Sequence, residues 1–153
     1  MIPRELPTGW KEVQIGEVLK FEYGKGLPKD RRKKNGEFPV YGSSGIVGYH
    51  NHYLVNEDCI VVGRKGSIGS VFLSLNPCWP IDTTYYVKNV SSLNIKFLYY
   101  QLSYINLKIV EKSTAIPGLS RDDIYVRRII LPPLEEQRQI AEIIEELFSE
   151  LTT

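Results

Sequence analysis

A mixed domain, with short strands followed by helices, is predicted by three observations. Residues 59–87 hold three apolar runs separated by glycine- and proline-bearing turns. Two later segments, beginning at Asn94 and Leu134, carry apolar residues at helical spacing. Gly42, Gly45 and Gly48 recur so closely that the strands around them must turn tightly.

At 153 residues the chain suits one domain with a real core. No apolar run approaches the roughly 20 residues of a membrane span, and the N-terminus has no apolar signal core, so a cytoplasmic protein is expected. The net charge of +1 conceals an asymmetry. From Leu134 onward there are six acids and one base, a net −5, whereas residues 1–133 carry +6. A basic body points to an anionic partner, and the acidic tail to a different one.

Taken in order, residues 3–23 read as an irregular entry, a short alternating run around Trp10, Val13 and Ile15, and a short helix near 16–21. Residues 24–37 gather Lys25, Lys29, Arg31, Arg32, Lys33 and Lys34 around Asp30, a solvated loop that serves as plain charged surface or as a phosphate contact. Residues 39–53 expose Ser43, Ser44, Tyr49, His50, Asn51 and His52, groups that read base edges or simply form turns. His50 and His52 have the spacing of a metal pair on a strand but no third ligand nearby, so no metal site is expected.

The central stretch begins with the run CIVV, a buried strand, and continues through GRKGSIG into the strands SVFLS and TTYYV. Gly63, Gly66 and Gly69 are expected to supply positive φ or close backbone approach, pushing Arg64, Lys65 and Ser67 outward from a stiff base. Cys59 and Cys78 lack CxxC spacing and read as buried thiols. Asp82, between Pro80-Ile81 and Thr83-Thr84, reads as a buried, hydrogen-bonded structural acid.

Asn94 is the predicted cap of a helix to about Ile109, with Leu98, Leu102, Ile105 and Ile109 on one stripe and Tyr99, Tyr100 and Tyr104 packing at its flanks. A Pro-Gly turn then exposes small polar groups and Lys112, and residues 120–123 resemble a capping box with aspartate in third place. YVRRIILPP reads as a strand stopped by Pro132 and Pro133. The tail is the clearest helix. Ile140, Ile144, Leu147 and Leu151 form a stripe, Ile143 and Phe148 widen it, and glutamates cover the other face. Eighteen such residues project about 27 Å. The stripe either packs on the domain's own sheet or meets a partner helix, and the preceding double proline and flanking acids favour the partner.

Residues 76–79, NPCW, match three of four positions of the element by which amino-methyltransferases hold an exocyclic amine. No glycine-rich strand-to-helix turn for a cofactor accompanies it. GRKGSIG precedes a strand, which excludes dinucleotide and P-loop readings, and no nucleophile, base or paired-carboxylate motif is present. The residues argue for binding rather than catalysis, with no cofactor.

LPTGW followed by IGEV, YGSSGIVGYHNHY, GRKGSIGSVF with WPIDTTYYV, AIPGLSRDDI, and LPPLEEQRQIAEII occur in this order. Together they resemble the target-recognition domain of type I restriction-modification specificity subunits, over nearly the whole chain. The resemblance implies an α+β fold: a curved, coiled, mostly antiparallel sheet with flanking helices and a C-terminal amphipathic helix. It frames residues 1–133 as the DNA-reading domain and 134–153 as the start of a spacer helix.

The implied role is to recognise double-stranded DNA for a separate methyltransferase subunit and, in a full complex, a restriction/translocase subunit. On this view Lys29, Arg31, Arg32, Arg64 and Lys65 are candidates for phosphate contact. Ser43, Ser44, Tyr49, His50, Asn51, Lys112, Ser113, Thr114 and Arg121 are candidates for base edges or nearby backbone. No residue is expected to be catalytic. Members of the family usually join two such domains by paired long helices, so this chain is expected to be a half-size subunit, a truncated product or an excised domain. A homodimer through Ile140, Ile144 and Leu147 would restore two-fold recognition. The rival is an adaptor that assembles through its C-terminal helix and binds little DNA.

Overall fold

The computed structural model describes residues 5–110 and 118–152. It contains strands β1 (Lys11–Gln14), β2 (Glu22–Tyr23), β3 (Phe38–Gly42), β4 (Gly45–His50), β5 (Cys59–Gly63), β6 (Val71–Ser74), β7 (Trp79–Pro80), β8 (Thr84–Lys88) and β9 (Arg128–Leu131). The α-helices are α1 (Ile15–Val18), α2 (Ile95–Tyr104), α3 (Arg121–Tyr125) and α4 (Leu134–Leu151). The class is α+β; among the described residues the named strands pair antiparallel except β3 with β7, and the amphipathic C-terminal helix is present.

Three sheets arise: β1-β9, β2-β8-β5-β6, and β4-β3-β7. The second organises the rest, because β5 is buried on both faces. Alternate side chains of a strand point to opposite sides. Ile60 and Val62, with Tyr85 and Val87 of β8, pack among Ile15, Phe21, Leu98, Leu102, Leu107, Ile124 and Ile129 from the helical side. Cys59 and Val61, with Tyr86, pack on the other side with Tyr41, Val55 and Cys78. Two-sided burial explains the unbroken run CIVV. Both cysteines are buried thiols, with their Sγ atoms 3.5 Å apart. Their mutual hydrogen bond and burial push the Cys59 thiol well above its ordinary range.

The helix after Asn94 starts as predicted, the Asn94 side chain accepting from Phe97 N at 2.9 Å. It ends sooner. Asn106 adopts φ 52°, a left-handed conformation that asparagine tolerates, and a 3-10 turn, Leu107–Val110, follows in place of a continued helix. The predicted stripe is therefore cut after Ile105, and the side chain of Ile109 lies outside the described residues. Ser120 occupies the N-cap of α3 but makes no side-chain cap bond, so the expected capping box does not form.

Helix α4 both packs and projects. Gln137 and Ala141 are buried and Ile140 and Ile144 half-buried. Gln137 Oε1 accepts from Asn94 N at 3.0 Å and its Nε2 donates to Pro132 O at 2.8 Å, tying the start of α4 to the start of α2. Lys96 pairs with Glu145 at 2.9 Å, and the Tyr100 and Phe148 rings lie 6.0 Å apart. Beyond this the apolar stripe leaves the body: Leu147 is 55 % and Leu151 79 % exposed. None of the described helices is long and apolar enough to cross a membrane.

Candidate nucleic-acid interface

Both basic segments are fastened to one short connection, residues 79–84. On one side Lys25 N donates to Pro80 O and Gly24 N to Thr84 O, both at 3.0 Å, while Trp79 Nε1 donates to Lys25 O at 2.8 Å. On the other, Arg64 N and Lys65 N both donate to Thr83 O, at 2.8 and 3.2 Å, and the Arg64 guanidinium donates to Asp82 O. The contact at Gly24 demands glycine, since a Cβ there would lie 2.0 Å from Ile81 O. Asp82 corrects the sequence reading. It is exposed, because it sits in the tight turn between β7 and β8, where Ile81 takes the inward position and Asp82 contributes its carbonyl to Arg64. NPCW is likewise architectural: Cys78 lies in the core and Trp79 forms β7.

The basic loop is laid along the β3-β4 hairpin. Arg32, half-buried, donates from Nε to Leu27 O at 3.2 Å and crosses Gly48, where a Cβ would stand 3.2 Å from its Cδ. Lys33 N donates to Tyr49 O at 2.7 Å, and Gly36 presses on the backbone of His50. Lys29 and Arg31 remain exposed on a 3-10 turn beside the hairpin, whose Tyr49 and Asn51 are also exposed. His50 is half-buried, its ring edge-on to His52 at 5.4 Å and to Trp79 at 5.5 Å. Among the described residues no group of three metal-ligating side chains exists.

The glycine turn closes against the other end of that hairpin. Ser67 N donates to Ser43 Oγ at 3.2 Å, and Gly66 at φ +77° passes so close that a Cβ would meet Ser43 Oγ at 2.9 Å. Ser44 stays exposed. The amides of Lys65, Ser67, Ile68, Gly69 and Ser70 all donate within the protein. The glycines therefore shape the turn, and its charge comes from side chains: exposed Lys65 and half-buried Arg64. Behind it, Gly69 packs on the backbone of Leu107 and Lys108, and Leu119 N donates to Arg64 O at 2.9 Å. Exposed Lys108 thus joins the basic turn, although in the sequence it lies inside an apolar helical pattern that hides it. Lys112, Ser113 and Thr114 lie outside the described residues.

Arg121, half-buried, sits across from the turn, over the ring of Tyr23 with its Cζ 4.4 Å from the centroid. Arg64 lies over the same ring at 5.2 Å. Tyr23 was invisible to sequence reasoning because nothing in its neighbourhood marks it apart from nine other tyrosines. Burial, and then the neighbouring phenol of Tyr23, push the Tyr85 hydroxyl beneath them up to about 12, so this aromatic base stays uncharged.

Residues 7–153 match the family model described as type I restriction modification DNA specificity domain. The EcoprrI type I restriction enzyme specificity subunit of Escherichia coli is 24 % identical over 147 residues, covering 93 % of this chain and 36 % of that protein. The MjaVIII specificity subunit of Methanocaldococcus jannaschii is 28 % identical over 155 residues, with 92 % and 36 % covered. The solved S subunit of a type I restriction-modification system from M. genitalium shares the fold, with a TM-score of 0.80 at 19 % identity over 97 % of this chain and 41 % of that one. The chain spans about a third to a half of the length of the curated relatives it matches.

Proposed function

Because the chain belongs to the type I restriction modification DNA specificity domain family, we propose that it reads a short double-stranded DNA sequence as the specificity component of a type I restriction-modification complex. The observation that carries this reading is the fastening of two basic segments to the single connection 79–84, with the exposed polar positions of the β3-β4 hairpin running between them. Exposed Lys29, Arg31, Lys65 and Lys108 are the proposed phosphate contacts, which fix register without reading sequence. Ser44, Tyr49 and Asn51 present donors, acceptors and a ring face for base edges. Arg32, Ser43 and His50 are half-buried and support these groups from beneath. The chain reads and does not catalyse; a methyltransferase subunit supplies the chemistry, and a restriction/translocase subunit joins the full assembly.

Residues 1–133 form the reading domain and 134–153 begin the spacer helix. A second copy of the chain is the proposed occupant of the exposed stripe on α4, which would place two readers on one duplex. Sedimentation equilibrium is expected to show a dimer that Leu147→Lys separates; a wild-type chain that remains monomeric at about 100 μM, an association weaker than about 5.5 kcal/mol, sinks this pairing.

Co-expression with the cognate methyltransferase subunit, followed by mapping of methylated positions, is expected to reveal one recurring short target. Isolated duplex binding should weaken linearly in log K against log salt. Random or absent methylation together with salt-independent binding would remove the DNA-reading assignment.

A further inference from the structure

An aromatic ladder runs to the surface beside the basic turn and ends under two cations. Tyr125 and Phe21 lie 6.0 Å apart, Phe21 and Tyr85 6.0 Å, and Tyr85 and Tyr23 5.2 Å between ring centroids. Tyr23, outermost on the edge strand β2, is 51 % exposed. Arg121 stacks 4.4 Å from its centroid, and Arg64 stands 5.2 Å from that centroid and 5.9 Å from that of Tyr85. Each guanidinium is also pinned by a backbone carbonyl. Arg121 Nη1 donates to Phe21 O at 3.0 Å, and Arg64 Nη2 donates to Asp82 O.

Two like charges on one ring repel each other. Among the described residues neither forms an ion pair with a carboxylate, and Arg64 Nε is buried without a hydrogen-bond partner. The ring quadrupole and the two carbonyls offset part of the repulsion. An anion in reach of both guanidiniums would remove the rest, and each guanidinium still has N–H donors to offer beyond the one engaged. The purely structural alternative, a staple joining β2, the Asp82 corner and α3, accounts for the carbonyl bonds but leaves the paired charge and the idle Nε unexplained.

We propose that Tyr23 is a positioning residue that stacks Arg64 and Arg121 into one clamp for a backbone phosphate of the bound duplex. This rests on the DNA-reading assignment and adds to it a residue with no charge and no direct role in reading. It also gives Arg64 and Arg121 one shared task, where the sequence had set them apart as phosphate and base-edge candidates.

The test uses the full chain and a duplex of about 20 base pairs across a salt series. Tyr23→Leu leaves the formal charge unchanged, yet it is expected to bind about tenfold more weakly, with a log K against log salt slope shallower by about one. Tyr23→Phe keeps the ring and should match the wild type. In parallel, inorganic phosphate is titrated into wild-type chain while the Arg64 and Arg121 Nε–H resonances are followed. Both are expected to shift with one saturation constant, a readout that needs no variant to fold. Wild-type affinity and slope in Tyr23→Leu, or guanidinium signals that ignore phosphate or saturate separately, overturn the clamp while leaving duplex binding intact as a finding. A joint phosphate response in a chain that binds no duplex would leave a phosphate site but overturn its assignment to a duplex backbone, together with the DNA-reading assignment.

Discussion

Replacing Lys29, Arg31 and Lys65 together by glutamine is expected to weaken duplex binding about a hundredfold near 0.15 M salt and to make the salt slope shallower by nearly three. These three are chosen because all are exposed and none is among the side chains hydrogen-bonded to the body of the domain. Their loss changes the field at the surface without loosening the connection that carries them. Arg32 and Arg64 are poorer probes: each donates to a backbone carbonyl, so its removal mixes a lost charge with a loosened support. Thermal unfolding of the triple variant should match the wild type, and methylation directed by the complex should keep its target sequence while losing efficiency, because phosphate contacts position without specifying. A triple variant with unchanged slope would place the duplex elsewhere on the protein.

Gly69→Ala is expected to cost about 3 kcal/mol of stability, read as a shift in denaturation midpoint at constant m. Two penalties coincide there. The backbone sits at φ +80°, and an added Cβ would lie 2.6 Å from Lys108 N and 2.9 Å from its Cα, backbone atoms that cannot step aside singly. Gly66→Ala is the control. Its φ of +77° carries the same conformational strain, but the Cβ meets only Ser43 Oγ, a side-chain atom that can move aside by giving up its hydrogen bond from Ser67 N, so about 2 kcal/mol is expected. The difference isolates the close packing of the basic turn on the 3-10 segment that begins at Leu107. Equal losses in the two variants would show that φ alone sets the demand for glycine.

Gln137 is a feature that composition conceals. Among the glutamates and glutamine of the tail it reads as one more solvated polar residue, yet it is 2 % exposed and bridges the starts of two helices. Its burial depends on α2 and α4 arriving side by side, which helical periodicity cannot announce. The helix predicted to reach Ile109 failed for a related reason: the stripe continues in sequence, but Asn106 turns left-handed so that Leu107 and Lys108 can back the glycine turn.

What the sequence determined by itself is the family and several of the elements. The two-sided run at β5, the capped start of α2, the amphipathic tail and the ordered motifs all follow from local patterns that need no partner to be read. The segregation of charge between body and tail belongs to the same class. Only the tertiary structure decided which cations face outward, because that depends on the backbone carbonyls of residues 27, 82 and 83, distant in sequence and without any side-chain signature. It separated Lys29, Arg31 and Lys65 from the engaged Arg32 and Arg64, exposed Asp82 in its turn, brought Lys108 to the basic surface, and set Arg64 and Arg121 on the single ring of Tyr23. Hydrogen bonds to main-chain atoms carry no residue code, so the sequence lists the charges while the fold decides which of them are free to act.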